Sequence, residues 1–141
     1  MTGRERKSNA YLSKSLFVRG LQCHKSLYLK KYHPELAEEL PEDRQAIMES
    51  GQNVGILARE LFPGGVEIPY EGLSYEEQLQ KTAAEINAGH TVYEGAFSHD
   101  NIFIKVDILS KGPSGWELHE VKASTDVKPY HENDLAVQYY V

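Results

Sequence analysis

The spacing of apolar residues along the chain changes near residue 90. Within residues 13–33, Leu16, Leu21, Leu27 and Leu29, with Tyr28 and Tyr32, form a stripe at close to helical period, which predicts a first helix closed by Pro34. A second helix is expected from Pro41 or Glu42 to Leu61, with the proline at its start and Pro63-Gly64-Gly65 as its stop. Residues 66–69 predict a short strand. Ser74-Tyr75-Glu76-Glu77 is a capping box that opens a third helix, and Gly89 stands where a helix-ending glycine belongs. Beyond Gly89 the pattern turns to β-branched and aromatic residues, predicting strands over 91–97, 102–109 and 116–122. Lys111-Gly112-Pro113-Ser114-Gly115 is a turn that should join the last two as an antiparallel hairpin, and Ser98-His99-Asp100-Asn101 links the first two. From about His131 a further helix runs to Val141. The expectation is one α/β domain over residues 1–141, with an antiparallel meander in a mixed sheet flanked by helices.

Composition agrees with a soluble domain. The apolar share is 40% and the charged share 26%, and 141 residues suffice for a core without covalent staples. No stretch approaches the roughly 20 apolar residues of a membrane helix, and the basic residues 1–8 are followed by no apolar signal core. The single cysteine, Cys23, excludes an internal disulfide, so a cytoplasmic protein with no membrane partner is expected. A net charge of −6 argues against a nucleic-acid partner until its distribution is considered. Residues 1–33 hold eight bases against the one acid Glu5, while the rest holds seven bases against twenty acids. Such polarity can present a positive field locally. A solvated helix face behind a basic start is the plainer account, and both readings stand.

Candidate chemistry gathers in the last two predicted strands. Glu120-Val121-Lys122 closes one, and Asp107 lies near the end of the other. Strand alternation puts Glu120 and Lys122 on one face, shared with Trp116 and Leu118, and the hairpin brings Asp107 within reach of both. Two carboxylates beside one amine make a hard oxygen site for Mg²⁺ or Mn²⁺. Such a metal polarises a phosphate oxygen and lowers the pKa of a bound water, while the amine orients that water or offsets charge on the phosphorane. That division of labour suits phosphodiester hydrolysis. Acid-x-Lys is also common as plain solvated charge. The functional reading gains from Asp107 interrupting the apolar run between Ile102 and Leu109, where a charge is costly unless paired or ligating. Cys23-His24 lacks partners at zinc or dyad spacing, so Cys23 is expected to be a buried free thiol. His119, alternating away from Glu120, is expected to be structural. Tyr28, Tyr32, Tyr139 and Tyr140 are of a kind that stacks bases, though core or boundary packing is expected.

On these residues, 91–141 resemble the PD-(D/E)XK nuclease superfamily, and most closely its RecB-like branch. There one strand ends in an acid, the next in acid-x-Lys, and a helix with a glutamine motif follows. Asp107, Glu120 and Lys122 match the first two features, and His131 through Gln138 to Tyr140 resembles the glutamine-tyrosine helix. The opening, from Leu12-Ser13-Lys14-Ser15-Leu16-Phe17 to Cys23-His24-Lys25-Ser26-Leu27-Tyr28-Leu29, is similar to that of the CRISPR-associated RecB-like exonucleases. The resemblance implies a restriction-endonuclease-like core and a Mg²⁺- or Mn²⁺-dependent DNA nuclease, single- or double-stranded substrate left open. Asp107 and Glu120 would hold the metal with the Val121 carbonyl, Lys122 would assist the water, and Gln138 would contact substrate or brace Lys122. The alternative is a catalytically inactive module of the same fold that binds nucleic acid or a protein.

The chain also departs from that pattern. The exonucleases carry Gly-x-x-x-His on an upstream helix, the histidine binding metal; here Gly51-Gln52-Asn53-Val54-Gly55 puts glycine in that place. Glu60 is either a substitute on the same helix or a solvated surface acid. One thiolate cannot hold the iron–sulfur cluster of some relatives, so none is expected. The helix motif reads either from Gln138, with its fourth following residue past Val141, or with Asp134 and Gln138 in its two places. The superfamily core continues with another strand after this helix. The chain is then either an N-terminal fragment or a shortened relative; the fragment is expected, self-associating through an open sheet edge.

Overall fold

A computed structural model describes residues 11–38 and 42–141. In chain order they form strand β1 (Leu12–Ser13), helices α1 (Lys14–Gln22) and α2 (His24–Tyr32), a 3-10 turn (Pro34–Leu36), and helix α3 (Glu42–Ala58) running into a second 3-10 turn (Arg59–Leu61). Strand β2 (Val66–Glu67), helix α4 (Tyr75–Asn87), strands β3 (Val92–His99), β4 (Ile102–Gly112) and β5 (Gly115–His119), and helix α5 (Pro129–Tyr140) follow. Pro41, one expected start of the second helix, lies outside the described residues.

The first apolar stripe makes two helices where one was expected. Ser13 caps α1, its hydroxyl accepting the Leu16 N–H at 3.3 Å. The backbone extends at Cys23, whose sulfur accepts the Ser26 N–H at 3.4 Å and opens α2. Gly20 is buried, and a Cβ there would run into Leu27, so α1 and α2 can lie close against each other. Cys23 is accordingly an exposed cap at a helix break, not a buried thiol. Leucine spacing alone cannot reveal that break, because the stripe continues across it.

The capping box forms as expected: Glu77 N–H donates to Ser74 Oγ at 3.2 Å, and Ser74 N–H to the Glu77 carboxylate at 2.7 Å. The loop after α3 is tied down by Tyr93, whose hydroxyl accepts the Gly65 N–H at 3.1 Å and donates to the Phe62 carbonyl. Asp100 and Asn101, both at positive φ, turn β3 into β4 as a tight hairpin.

The sheet is mixed and curled, with helices against it, in the order β1-β4-β3-β2 and with β5 also on β4. The β3–β4 and β4–β5 pairs are antiparallel; β1 runs parallel to β4 and β2 parallel to β3. Alternation puts Ile102, Ile104 and Val106 on one face of β4, where they pack with Val137 of α5 and Phe17 of α1. The opposite positions, Phe103, Lys105 and Asp107, lead from the stacked Tyr75 ring to the acids described below. Among the described residues no helix is long and apolar enough to cross a membrane.

β1 and β5 pair with the same flank of β4 but at opposite ends. β1 aligns with Ile102 and Phe103, and β5 with positions 108–112. Their directions make Ser13 and His119 run toward one another along that flank, so the next residues, Lys14 and Glu120, meet. The third strand stops at His119, short of the expected residue 122. The Val121 N–H, which a longer ladder would give to β4 backbone, goes instead to the Asp107 carboxylate at 2.7 Å. Glu120 and Lys122 thus leave the sheet and do not continue the Trp116–Leu118 face.

Helix α4 docks on β3 through a buried hydroxyl. Thr82 Oγ1 accepts the Ala96 N–H at 2.9 Å and donates to the Gln78 carbonyl at 2.8 Å. Thr82→Val keeps the shape but leaves the Ala96 N–H without a partner, so urea denaturation should show a loss of about 1–3 kcal/mol. Thr82→Ser should retain most of that. A valine variant as stable as the wild type would show that this hydroxyl does not secure α4.

Candidate functional site

The strand registers carry three acids into one row. Tyr93↔Ile108 and Gly95↔Val106 bracket Glu94 opposite Asp107, and Ile108↔His119 brings Glu120 beside Asp107 where the chain leaves β5. Like charges facing each other across strands destabilise a sheet. The backbone adds to this: Glu94 sits at φ 55, left-handed for a residue with a side chain, at a cost of order 1–3 kcal/mol. Nothing in the sequence marks Glu94, since Val92-Tyr93-Glu94-Gly95 reads as ordinary strand.

Glu120 is the most heavily engaged of the three, its side chain only 4% exposed. Lys14 Nζ lies 3.2 and 3.4 Å from its two oxygens, Lys122 Nζ 2.5 Å from Oε1, and Gln138 Nε2 donates to Oε2 at 2.5 Å. Burial by itself would raise this carboxyl, but the Lys122 and Gln138 hydrogen bonds and the two ammonium charges outweigh it and hold the pKa below the usual range. Lys122 also reaches Asp134 at 2.9 Å. Burial opposes its charge, yet the two carboxylates it bonds hold it protonated well above the ordinary lysine value. Gln138, expected to touch substrate or to brace Lys122, holds Glu120 itself. Of the two helix readings, the one with Asp134 and Gln138 in its places describes the contacts, because four residues on a helix bring both side chains to one face. Gln138 is 4% exposed and its Oε1 has no hydrogen-bond partner among the described residues.

Asp107 differs in kind. It accepts the Val121 N–H and makes no ion pair among the described residues. Burial, and then the Glu120 charge, push its carboxyl above the usual range. Burial likewise raises Glu94, only partly offset by Lys105 at 4.0 Å and Arg59 at 3.8 Å. Arg59 is also paired with Glu67 at 2.9 Å. In front of Glu94, Asp107 and Val121 lies an open cavity of about 540 Å³ whose far wall is α3, with Gly51 and Gly55. Beyond their own helix backbone, no atom of the described residues lies within 4 Å of the Cβ that either glycine lacks. Glu60 is exposed and does not line this cavity.

The three acids adjoin but fan apart, Glu120 toward its lysines and Glu94 toward Arg59 and Lys105. Among the described residues no three His, Cys, Asp or Glu side chains are grouped closely enough to hold a metal ion. His119 is structural, as expected, with Nε2 2.9 Å from Ser110 Oγ and its ring on Phe62. Tyr28, Tyr32, Tyr139 and Tyr140 are exposed rather than packed. Lys14 was missed because only the meeting of β1 and β5 gives it a role; in the sequence it is one more base after a capping serine. No family model matches the chain, and neither a curated protein nor a solved structure does.

Amide substitutions should separate the two central acids. A raised carboxyl destabilises the fold once ionised, so the stability held below its unfolded pKa is lost as pH rises. Asp107→Asn should leave stability at pH 7 unchanged or higher, and the difference should vanish below about pH 4, where the wild-type carboxyl is protonated in both states. Glu120 has the opposite sign: its stabilisation is present at neutral pH and lost as pH falls through its lowered value. Glu120→Gln at pH 7 should cost on the order of 2 kcal/mol by taking the carboxylate away from Lys14 and leaving Lys122 with Asp134 alone. Thermal melts from pH 3 to 8 read both, and a large loss from Asp107→Asn would mark Asp107 as a structural acid.

Proposed function

We propose that this chain is a divalent-metal-dependent DNA nuclease domain with the restriction-endonuclease-like core of the RecB-like branch. The observation that carries the reading is Glu120 held by Lys122 and Gln138 while its neighbour Asp107 makes no ion pair among the described residues. An acid so placed weakens the apo fold, and such liabilities gather at functional sites. Asp107, Glu120 and the Val121 carbonyl are all hard oxygen donors, the set that Mg²⁺ or Mn²⁺ accepts. Bound there, the cation would polarise a phosphate oxygen and lower the pKa of a water. Lys122, held protonated by Glu120 and Asp134, is no proton acceptor; it orients the attacking water by donation and offsets charge on the phosphorane. Gln138 keeps the Glu120 carboxylate in place. For DNA as partner the support is α1 and α2: residues 11–34 contain no acid, Lys25 and Lys30 are exposed without ion pairs among the described residues, and Tyr28 and Tyr32 stand exposed with ring centres 5.1 Å apart.

A second reading rests on its own observation. Both Glu120 oxygens are already bonded, and Gly55 stands where the exonucleases carry histidine. On that reading the fold is a non-cutting module that binds nucleic acid or a protein. Self-association would use the outer edge of β5, with Trp116 38% exposed, and sedimentation velocity would register it.

Single-stranded and duplex oligonucleotides with Mn²⁺ decide between the two. Cleavage is expected, reduced about 100-fold or more by Lys122→Ala and by Asp107→Asn, the usual effect of removing one transition-state contact. DNA retention without cleavage under any divalent metal would establish the non-cutting module. Gly55→His gives a separate check, since the cavity admits the side chain and the imidazole would supply a ligand beside Asp107. It should tighten Mn²⁺ binding in titration calorimetry, and unchanged binding would detach α3 from the metal site.

A further inference from the structure

Among the described residues Lys14 pairs only with Glu120, and that sets it apart from the other ammonium at the same carboxylate. Lys122 is anchored twice, at 2.5 Å to Glu120 and 2.9 Å to Asp134. Lys14 lies at 3.2 and 3.4 Å, the longest contacts Glu120 makes, and its side chain is 22% exposed. It is the first residue of α1, so its backbone is fixed by the Ser13 cap while the long stem stays free to swing. A divalent cation on Glu120 needs one of the carboxylate lone pairs and brings two positive charges beside two ammonium groups. The contact that yields is the longest and least anchored one. Displaced from Glu120, the Lys14 ammonium remains within a side-chain swing of the cation, beside the acid-free surface of α1 and α2.

We propose that Lys14 and a divalent cation exchange at Glu120, and that the displaced Lys14 becomes a contact for the substrate phosphate. The inference rests on the nuclease reading above. Lys14 thus keeps Glu120 neutralised in the metal-free protein and serves as a substrate-positioning residue in the loaded one. A residue that merely stabilised the site would behave differently, because its removal would weaken metal binding along with the fold.

The test reads metal and DNA affinity rather than turnover. Mn²⁺ titration by calorimetry on the wild type, Lys14→Met and Lys14→Arg should show Lys14→Met binding tighter, on the order of fivefold, the fold-change expected from removing one partly exposed ion pair. Lys14→Arg should stay near the wild type. Oligonucleotide affinity should fall for Lys14→Met with Ca²⁺ present and change little in EDTA. Thermal melts identify any variant that does not fold, and Lys14→Gln then takes the place of methionine. Mn²⁺ affinity that is equal or weaker in the folded charge-removed variant overturns the exchange. A DNA loss of the same size with and without Ca²⁺ overturns the phosphate contact. A wild type that binds no Mn²⁺ overturns the metal reading itself, a result distinct from either.

Discussion

Everything at this site turns on one buried carboxylate that three segments must share. Glu120 is removed from water, and an isolated charge there would be too costly to keep. Lys14 from the start of α1, Lys122 from the loop after β5 and Gln138 from α5 make it tolerable. Helices α1 and α5 are held in position by apolar packing on β4, through Phe17 and Val137, and the loop follows directly on β5, whose Leu118 packs against the same cluster. The ion cluster therefore joins elements far apart in the chain, and the apolar cluster sets the distance between them. Polar satisfaction and core packing depend on each other here.

The second feature is an imbalance. Among the described residues four cations attend the outer acids of the row, Lys14 and Lys122 at Glu120, Arg59 and Lys105 at Glu94, while Asp107 between them has a single backbone N–H. A sheet selected for stability alone would alternate the charges or remove the middle one. The left-handed backbone at Glu94 belongs to the same picture, since it breaks regular pairing at the position facing Asp107. Strain, like-charge crowding and an open cavity coincide at this one row. It is this coincidence that supports the functional role proposed for the row.

Much of this was readable in advance where local chemistry decides the outcome. The Ser74 capping box, the hairpin between β4 and β5 and the Asp100-Asn101 turn form because backbone donors and turn geometry are satisfied within a few residues. Strand pairing and one turn bring Glu120 beside Asp107, while Lys122 meets Glu120 in the loop after β5. Other expectations failed where distant contacts intervene. Cys23 breaks a leucine stripe that looked continuous, β5 stops early because Asp107 takes the Val121 N–H, and Gln138 goes to Glu120 rather than Lys122.

By itself, then, the sequence determined most of the elements and the meander, because periods of two and 3.6 residues and turn residues act over short range. Only the tertiary structure decided which charges meet. Lys14 stands 106 positions from Glu120 in the chain, and it reaches that carboxylate because β1 and β5 approach each other along the same flank of β4. Glu94 joins the row through the register of β3, and Gly51 and Gly55 face it because α3 closes the far side of the cavity. Pairing of strands remote in sequence is set by the burial of a shared core. A side chain's charge partner is fixed last, by whatever that burial brings within a few ångströms.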